Sequence, residues 1–297
     1  MPMRNGSHAR LRDRGVVRIA GPDSEGFLQN IVTNDMARPA QGEAGFGALL
    51  SPQGKIQTDF LVVPDGDGFL LDLPLDRVPD FVKRMTLYRL RAKVTIADEG
   101  AAREVVAFWG GETPAVDGVV FADPRLAALG WRAILPKEAA LAGAGSDEVD
   151  EAAYHAHRIR LGVPEVGRDF AFGDAFPHDA DMDDLGGLDF RKGCYVGQEI
   201  VSRMQHRGTA RRRAVLARGA APLPPAGTAI EAGGRAVGAL GSVDGSAGIA
   251  LVRLDRARSA MDDGVPLVAD GVTLTLALPA FAHFTWPQPG AGDEGAA

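Results

Sequence analysis

The sequence predicts an α+β protein with split βαβ (ferredoxin-like) units on its N-terminal side and a small β-barrel at its C-terminal end. Three observations carry this. The first hundred residues run strand, helix, strands, helix, strand, which is the order of a sandwich with helices on one side of an antiparallel sheet. A second set of strands, closed by a helix, follows over 101–190. After residue 213 only short strands recur, punctuated by Gly and Pro, and that spacing suits a barrel.

Val16 to Ala20 reads as a strand that breaks at Gly21-Pro22, and Pro22 with Asp23 and Glu25 starts a helix carrying Phe27, Leu28 and Ile31 inward. Gly45 to Leu50 and Lys55 to Val63 are strands joined by the turn Ser51-Pro52-Gln53-Gly54. Asp65-Gly66-Asp67-Gly68 reverses the chain into Phe69 to Leu73. A helix begins near Leu75, with Val78, Phe81, Val82 and Met85 at i, i+3, i+4 and i+7 and Pro79 confined to its first turn. From Arg89 to Ile96 every even position is apolar, the alternation of a half-buried strand with a basic outer face.

In the second unit Arg103 to Trp109, Gly118 to Phe121 and Trp131 to Leu135 are strands, and Ser146 caps a helix over Asp147 to Leu161 that Gly162 and Pro164 stop. Glu165 to Gly187 has no period and is expected as a solvated loop rich in aspartate, without the ligand register of a calcium loop; no metal site is expected. Strands then fall at Ala214 to Arg218, Thr228 to Glu231, Ala236 to Val243, Gly248 to Asp255, and in a hairpin across Asp270-Gly271. The expected domains are 1–100, 101–190, a motif and basic linker at 191–212, a barrel at 213–286 and a disordered tail at 287–297.

The chain has 297 residues, 45% of them hydrophobic, enough for about two packed domains. Its single cysteine allows no internal disulfide and one thiolate cannot build a metal cluster unaided. No stretch has the length and apolarity of a membrane span or a secretory signal. These features together lead us to expect a soluble cytoplasmic protein with no membrane partner. The net charge of −7 is uneven, because Arg191 to Arg213 holds seven Lys or Arg against one acid, Glu199. Such a patch is expected to dock an anion: a folate glutamate tail, an RNA backbone or an acidic partner.

The lone thiol, Cys194, lies between Gly193 and Gly197, just after Arg191 and Lys192, in the turn before a helix that starts past Gly197. Adjacent cations and a helix N-terminus both favour thiolate over thiol, so Cys194 is expected to be reactive.

Lys192-Gly193-Cys194-Tyr195-Val196-Gly197-Gln198-Glu199 resembles the K-G-C-Y-x-G-Q-E signature of the YgfZ-type folate-binding proteins, relatives of the glycine-cleavage T-protein, an aminomethyltransferase. Leu28 to Asp35, Ser51 to Ile56, Tyr88 to Lys93 and Arg158 to Pro164 carry the same resemblance. It implies a T-protein-like fold, tetrahydrofolate or a one-carbon derivative as cofactor, and a role in iron–sulfur cluster assembly and repair and in tRNA modification. The implied partners are folate, iron–sulfur enzymes or assembly proteins, and tRNA. The implied catalytic residues are Cys194 and Asp59. The implied cofactor-binding residues are Asn34, Asp35, Lys192, Tyr195, Gln198, Glu199, Arg203 and Arg207. At the T-protein's paired acids this chain keeps only Asp59, after Thr58. At its pterin-binding acid this chain has Arg160, whose guanidinium has donors only. Two alternatives stay open: a folate-dependent aminomethyltransferase or demethylase using Asp59, and a tRNA-binding module gripping through Arg203 to Arg213.

Overall fold

The computed structural model describes residues 6–141, 144–207 and 210–288, the side chain of Arg207 excepted. Residues 289–297 of the tail expected over 287–297, and Gly208 at the end of the motif run, lie outside the described residues. The chain forms two compact units, Met1–His155 with Leu185–Glu199, and Ala156–Asp184 with Ile200–Ala297.

The first unit holds two five-stranded sheets. Strands β1 (Gly6–Leu11) and β2 (Arg14–Ala20) are followed by helices α1 (Ser24–Gln29) and α2 (Ala37–Ala40) and strands β3 (Gly45–Leu50), β4 (Ile56–Asp65) and β5 (Gly68–Pro74). Helix α3 (Val78–Arg89) and β6 (Thr95–Asp98) complete one sheet, ordered β3-β4-β5-β2-β6 and antiparallel throughout. Alternate residues of its strands, Val17, Ile19, Phe60, Val62, Phe69 and Leu71, meet Val78, Phe81 and Met85 of α3 in one core. The other sheet, β10-β1-β7-β9-β8, contains β7 (Arg103–Trp109), β8 (Val119–Ala122), β9 (Trp131–Pro136) and β10 (Ser146–Glu148).

Between these layers runs a chain of buried charges. Arg14 Nε lies 2.6 Å from Asp72 Oδ1, and Arg132 Nη1 lies 3.2 Å from Asp72 Oδ2. Asp123 accepts from Arg125 at 2.7 Å, and Arg132 and Arg125 both donate to the Tyr154 hydroxyl. Every ion has an opposite partner, the condition under which charge is tolerated inside a protein.

The second unit is built on a closed antiparallel barrel, β11-β14-β13-β12-β15-β16. Its strands are β11 (Arg212–Gly219), β12 (Ala229–Ala232), β13 (Arg235–Asp244), β14 (Ala247–Arg253), β15 (Leu267–Ala269) and β16 (Val272–Ala277). Helix α4 (Glu151–Leu161) enters this unit, α5 (Gln198–Arg207) precedes the barrel, and α6 (Leu254–Asp262) packs Leu254, Ala257 and Ala260 on the barrel core. At the β15–β16 hairpin Asp270 and Gly271 take φ +43° and +78°, the left-handed pair that a tight hairpin requires.

The architecture matches the expected fold class, with local differences. Arg89 to Val94 is not strand: α3 runs to Arg89, Leu90 ends it, and only Val94 of the alternating apolar set is buried. Ser146 is not a helix cap, because Ser146–Glu148 pairs in parallel with β1; α4 starts at Glu151, where Asp150 accepts from Ala153 N at 2.9 Å. Ser and Asp are both good caps, and the sheet partner decides between them. Strand β1 was hidden because Ser7, His8 and Arg10 break its apolar alternation. The strand expected over Gly248 to Asp255 ends at Arg253, and α6, whose inward face is mostly alanine, begins at Leu254.

The aspartate-rich connection is the largest correction: it is a buried ion-pair hub and not a solvated loop. Arg158, with no exposed surface, donates to Asp169 at 2.8 Å, to Val163 O at 3.1 Å and to Ser242 Oγ at 2.6 Å, and lies 3.1 Å from Glu165. Asp169 in turn accepts from the backbone N–H groups of Glu165 and Ser242. Arg213 grips Asp183 through two bonds of 2.6 and 2.7 Å, and Arg212 donates to Asp179 at 2.8 Å.

Candidate functional site

The site is built from three loops of the first unit. Asp189 N donates to Thr33 O at 3.1 Å, and Thr33 Oγ1 donates to Gly187 O while accepting from Ala48 N. Asp189 Oδ1 then accepts from the backbone of Arg191 and of Lys192, an Asx-type turn that sets the course of the next residues. The Lys192 side chain folds inward and its ammonium donates to Val32 O and Asn34 O, both at 2.6 Å, with the Tyr195 ring centroid 5.4 Å away. Gly197 takes φ +81°, and a Cβ there would lie 2.6 Å from Ser51 O and 3.0 Å from Gly54 Cα. The segment is therefore clamped at both ends, against residues 32–34 and against the 51–54 turn.

Cys194 lies between the clamps, and it is exposed. Tyr195 beside it is buried, and its hydroxyl has no hydrogen-bond partner among the described residues. Burial, aided by the negative charge of Asp189, pushes the Tyr195 phenol up to about 12. Burial also drives the Lys192 ammonium down to about 8, while Asp35 and Asp189 oppose that shift. Of the two flanking glycines only Gly197 takes a positive φ; Gly193 has open space around it.

The structure brings together Asn34, Asp35, Lys192, Tyr195 and Gln198. Asn34 donates its side-chain amide to Phe46 O, Asp35 accepts from Gln29 Nε2 at 3.0 Å and from Ala37 N, and Gln198 Oε1 accepts from Tyr195 N at 3.4 Å. Glu199 and Arg203 are exposed on α5, and the Arg207 side chain lies outside the described residues. Asp59 lies on β4 opposite Ala48 of β3, whose N–H donates to Thr33 Oγ1, and is 7% exposed. Arg160 is exposed and lies 3.3 Å from Asp244.

One expectation about charge changes. Of the cations counted from Arg191 to Arg213, Arg212 and Arg213 are spent on internal aspartates and Lys192 on backbone carbonyls, so the patch offers an anion much less than its composition suggests. Sequence reasoning did not give Thr33 a role. Its one signal was its place in the Leu28 to Asp35 segment, and its function as the tie between β3 and the thiol loop exists only in three dimensions.

Residues 211–284 match the family model described as the CAF17 C-terminal beta-barrel domain. The chain is 31% identical over 271 residues to the human protein named iron-sulfur cluster assembly factor IBA57, mitochondrial, which covers 82% of this chain and 76% of that one. It is 32% identical over 243 residues to the Neurospora crassa homolog of the same factor, covering 73% of this chain; there the chain spans 55% of the relative's length. Among solved structures it is similar to the crystal structure of glycine cleavage system aminomethyltransferase T from Bartonella henselae, with a TM-score of 0.75, 16% identity and coverage of 94% of this chain and 87% of that one. The fold is thus the T-protein-like one. The expectation of a cytoplasmic protein is corrected by these names, because the human and fungal relatives are both named as mitochondrial. No described helix is long and apolar enough to cross a membrane.

Proposed function

The chain belongs to the IBA57 family of iron–sulfur cluster assembly factors, and on that premise we propose that it is an accessory protein of cluster assembly or repair in which Cys194 is the working group. The observation that carries the reading is a solitary thiol, exposed on a loop clamped at both ends by Lys192 and Gly197. One thiolate cannot hold a cluster, so the cluster is cargo and the remaining ligands come from a partner protein. The Cys194 thiol passes its proton to the partner thiolate it displaces and takes that ligand's place with no change of oxidation state, and the same exchange in reverse frees it when the cluster moves on. Clamping the loop fixes where the sulfur is presented, which lowers the ordering cost of that encounter. Kinship with the YgfZ-type proteins, and tRNA-modifying iron–sulfur enzymes as clients, belong to the same reading and rest on the Lys192 to Glu199 motif.

Tetrahydrofolate is the second part of the proposal, with no reaction assigned to it. Arg160 does not fit the role of the pterin-binding acid: it can only donate, and it is exposed beside Asp244. Asp59, buried on β4, is the acceptor that remains for a pterin. The aminomethyltransferase alternative rests on that same carboxylate, whereas the tRNA-binding alternative loses support with the internal pairing of Arg212 and Arg213.

The test mixes the chain with a carrier protein loaded with a [2Fe–2S] cluster and follows the visible absorption of the cluster. We expect the spectrum to change with the parent chain and with Asp59→Asn, and to stay unchanged with Cys194→Ala. A Cys194→Ala variant that acts like the parent refutes the thiol assignment. Calorimetric titration with tetrahydrofolate, on the parent, Asp59→Asn and Arg160→Glu, tests the folate part separately. Methylene-folate production that survives Cys194→Ala but not Asp59→Asn would establish the enzyme instead.

A further inference from the structure

The tip of helix α3 is a surface that the described residues leave uncovered. Leu87 and Leu90 are 68% and 87% exposed, two of only four large apolar side chains so placed among the described residues. Leu90 also sits at φ +45°, ψ −107°, a backbone region that a bulky residue enters only under strain. Glycine would remove that strain, yet the position presents a leucine to solvent.

Charge converges on the same place. Lys83, Arg84, Arg89, Arg91 and Lys93 surround the two leucines in sequence, and none of their side chains makes an ion pair among the described residues. Elsewhere in this unit Arg10, Arg14, Arg18, Arg103, Arg125 and Arg132 are all paired. The nearby acids are engaged: Asp67 by Arg18, Asp80 by Arg77, and Asp23 by the backbone N–H of Lys93. A cleft of about 470 Å³ opens alongside, lined by Arg89 to Thr95 and by Ala20 to Pro22.

We propose that the α3 tip docks peripherally on an anionic lipid surface, with Leu87 and Leu90 entering the interface and the five cations facing the headgroups. Protruding leucines need a matching pocket in a protein partner, whereas a bilayer deforms around them. Lysine is depleted at the centres of protein interfaces, while apolar side chains ringed by Lys and Arg are the composition of membrane-surface helices. The negative charge of the rest of the chain opposes the contact, so binding is reversible and sensitive to salt. A peripheral contact needs no membrane span and no long apolar run.

The test is sedimentation of the full chain with vesicles of phosphatidylcholine alone and of phosphatidylcholine mixed with phosphatidylglycerol. The expected result is binding to the mixed vesicles only, weakening as salt is added. The pair Leu87→Ser and Leu90→Ser should weaken it on the order of tenfold or more. Arg89→Glu with Arg91→Glu should do the same, at roughly fivefold per cation removed, and flatten the salt dependence. All four side chains are exposed, so thermal unfolding of the variants should match the parent. Equal sedimentation with neutral vesicles, or serine variants that bind like the parent, overturns the proposal. So does a dimer, seen by ultracentrifugation, that the serine pair dissolves while vesicle binding is unchanged, because a second copy then covers the tip.

Discussion

The Lys192–Tyr195 pair predicts a stability profile with a maximum near pH 10. Lys192 titrates near 8 in the folded chain against an ordinary 10.5, so below pH 8 both folded and unfolded chains carry the ammonium and the cost of burying it is fully present. Between pH 8 and 10 the folded state releases its proton first, the unfolded state binds more protons, and stability rises. The gap is worth roughly 3 kcal/mol at about 1.36 kcal/mol per tenfold, and solvent screening of the partly accessible amine lowers the expected rise to about 1–2 kcal/mol. Tyr195 has the opposite sign. Its folded value of about 12 exceeds the ordinary 10, so its contribution is intact below pH 10 and is lost as pH climbs toward 12. Lys192→Met should abolish the rising limb. Near pH 7 it should be close to neutral, because orphaning the Val32 and Asn34 carbonyls costs about 1–3 kcal/mol while relief of the buried charge returns a similar amount. Tyr195→Phe should abolish the falling limb at a cost below about 1 kcal/mol, since the hydroxyl it removes has no partner. Urea unfolding followed by circular dichroism, in half-unit steps from pH 7 to 11.5, measures all three chains. A Lys192→Met midpoint that rises between pH 8 and 10 as much as the parent's refutes the reasoning.

Three further outcomes are expected. Asp169→Ala removes one of the two carboxylates that pair with buried Arg158 and strands the two backbone amides it caps; it should cost about 2–4 kcal/mol in urea unfolding, because the lost bonds include buried donors that no other group satisfies while Glu165 still balances the charge. Gly197→Ala forces a methyl group against Ser51 O at φ +81°, so its melting temperature should fall by several degrees, a loss of about 2 kcal/mol or more. Asp181 is buried at φ +54° with its carboxyl held well above the usual range by burial, Asp183 and Asp184 against the pull of Arg213. A raised carboxyl stabilises only at pH below its ordinary value, so Asp181→Asn, which is neutral and tolerates the left-handed region, should raise the melting temperature at pH 7 and leave it least changed near pH 4.

Much of the fold was legible because its cause is local. The helical spacing of Val78, Phe81 and Met85, the turn residues at 51–54 and 270–271, and the barrel strands after 213 each follow from side-chain periodicity or from backbone that few residues adopt. The thiol was legible for the same reason: a single cysteine among glycines and cations stands out in one dimension. Where local preferences tied, the sequence misled. Ser146 and Asp150 cap equally well, and alternation from Leu90 to Ile96 fits a strand that no neighbour pairs along most of its length.

By itself, then, the sequence determined the fold class, most of the helices and strands, the chemical identity of the lone thiol and the motif around it. Tertiary structure alone decided where the charges went. Lys192 turned out to be a staple onto carbonyls 158 and 160 residues away, and Arg213 a clasp on Asp183, 30 residues back. The physical reason is that a charge in a sequence has no dielectric: whether it binds a ligand in water or a partner in the interior depends on which groups burial brings within about 3 Å, and such pairings across the chain leave no period to read.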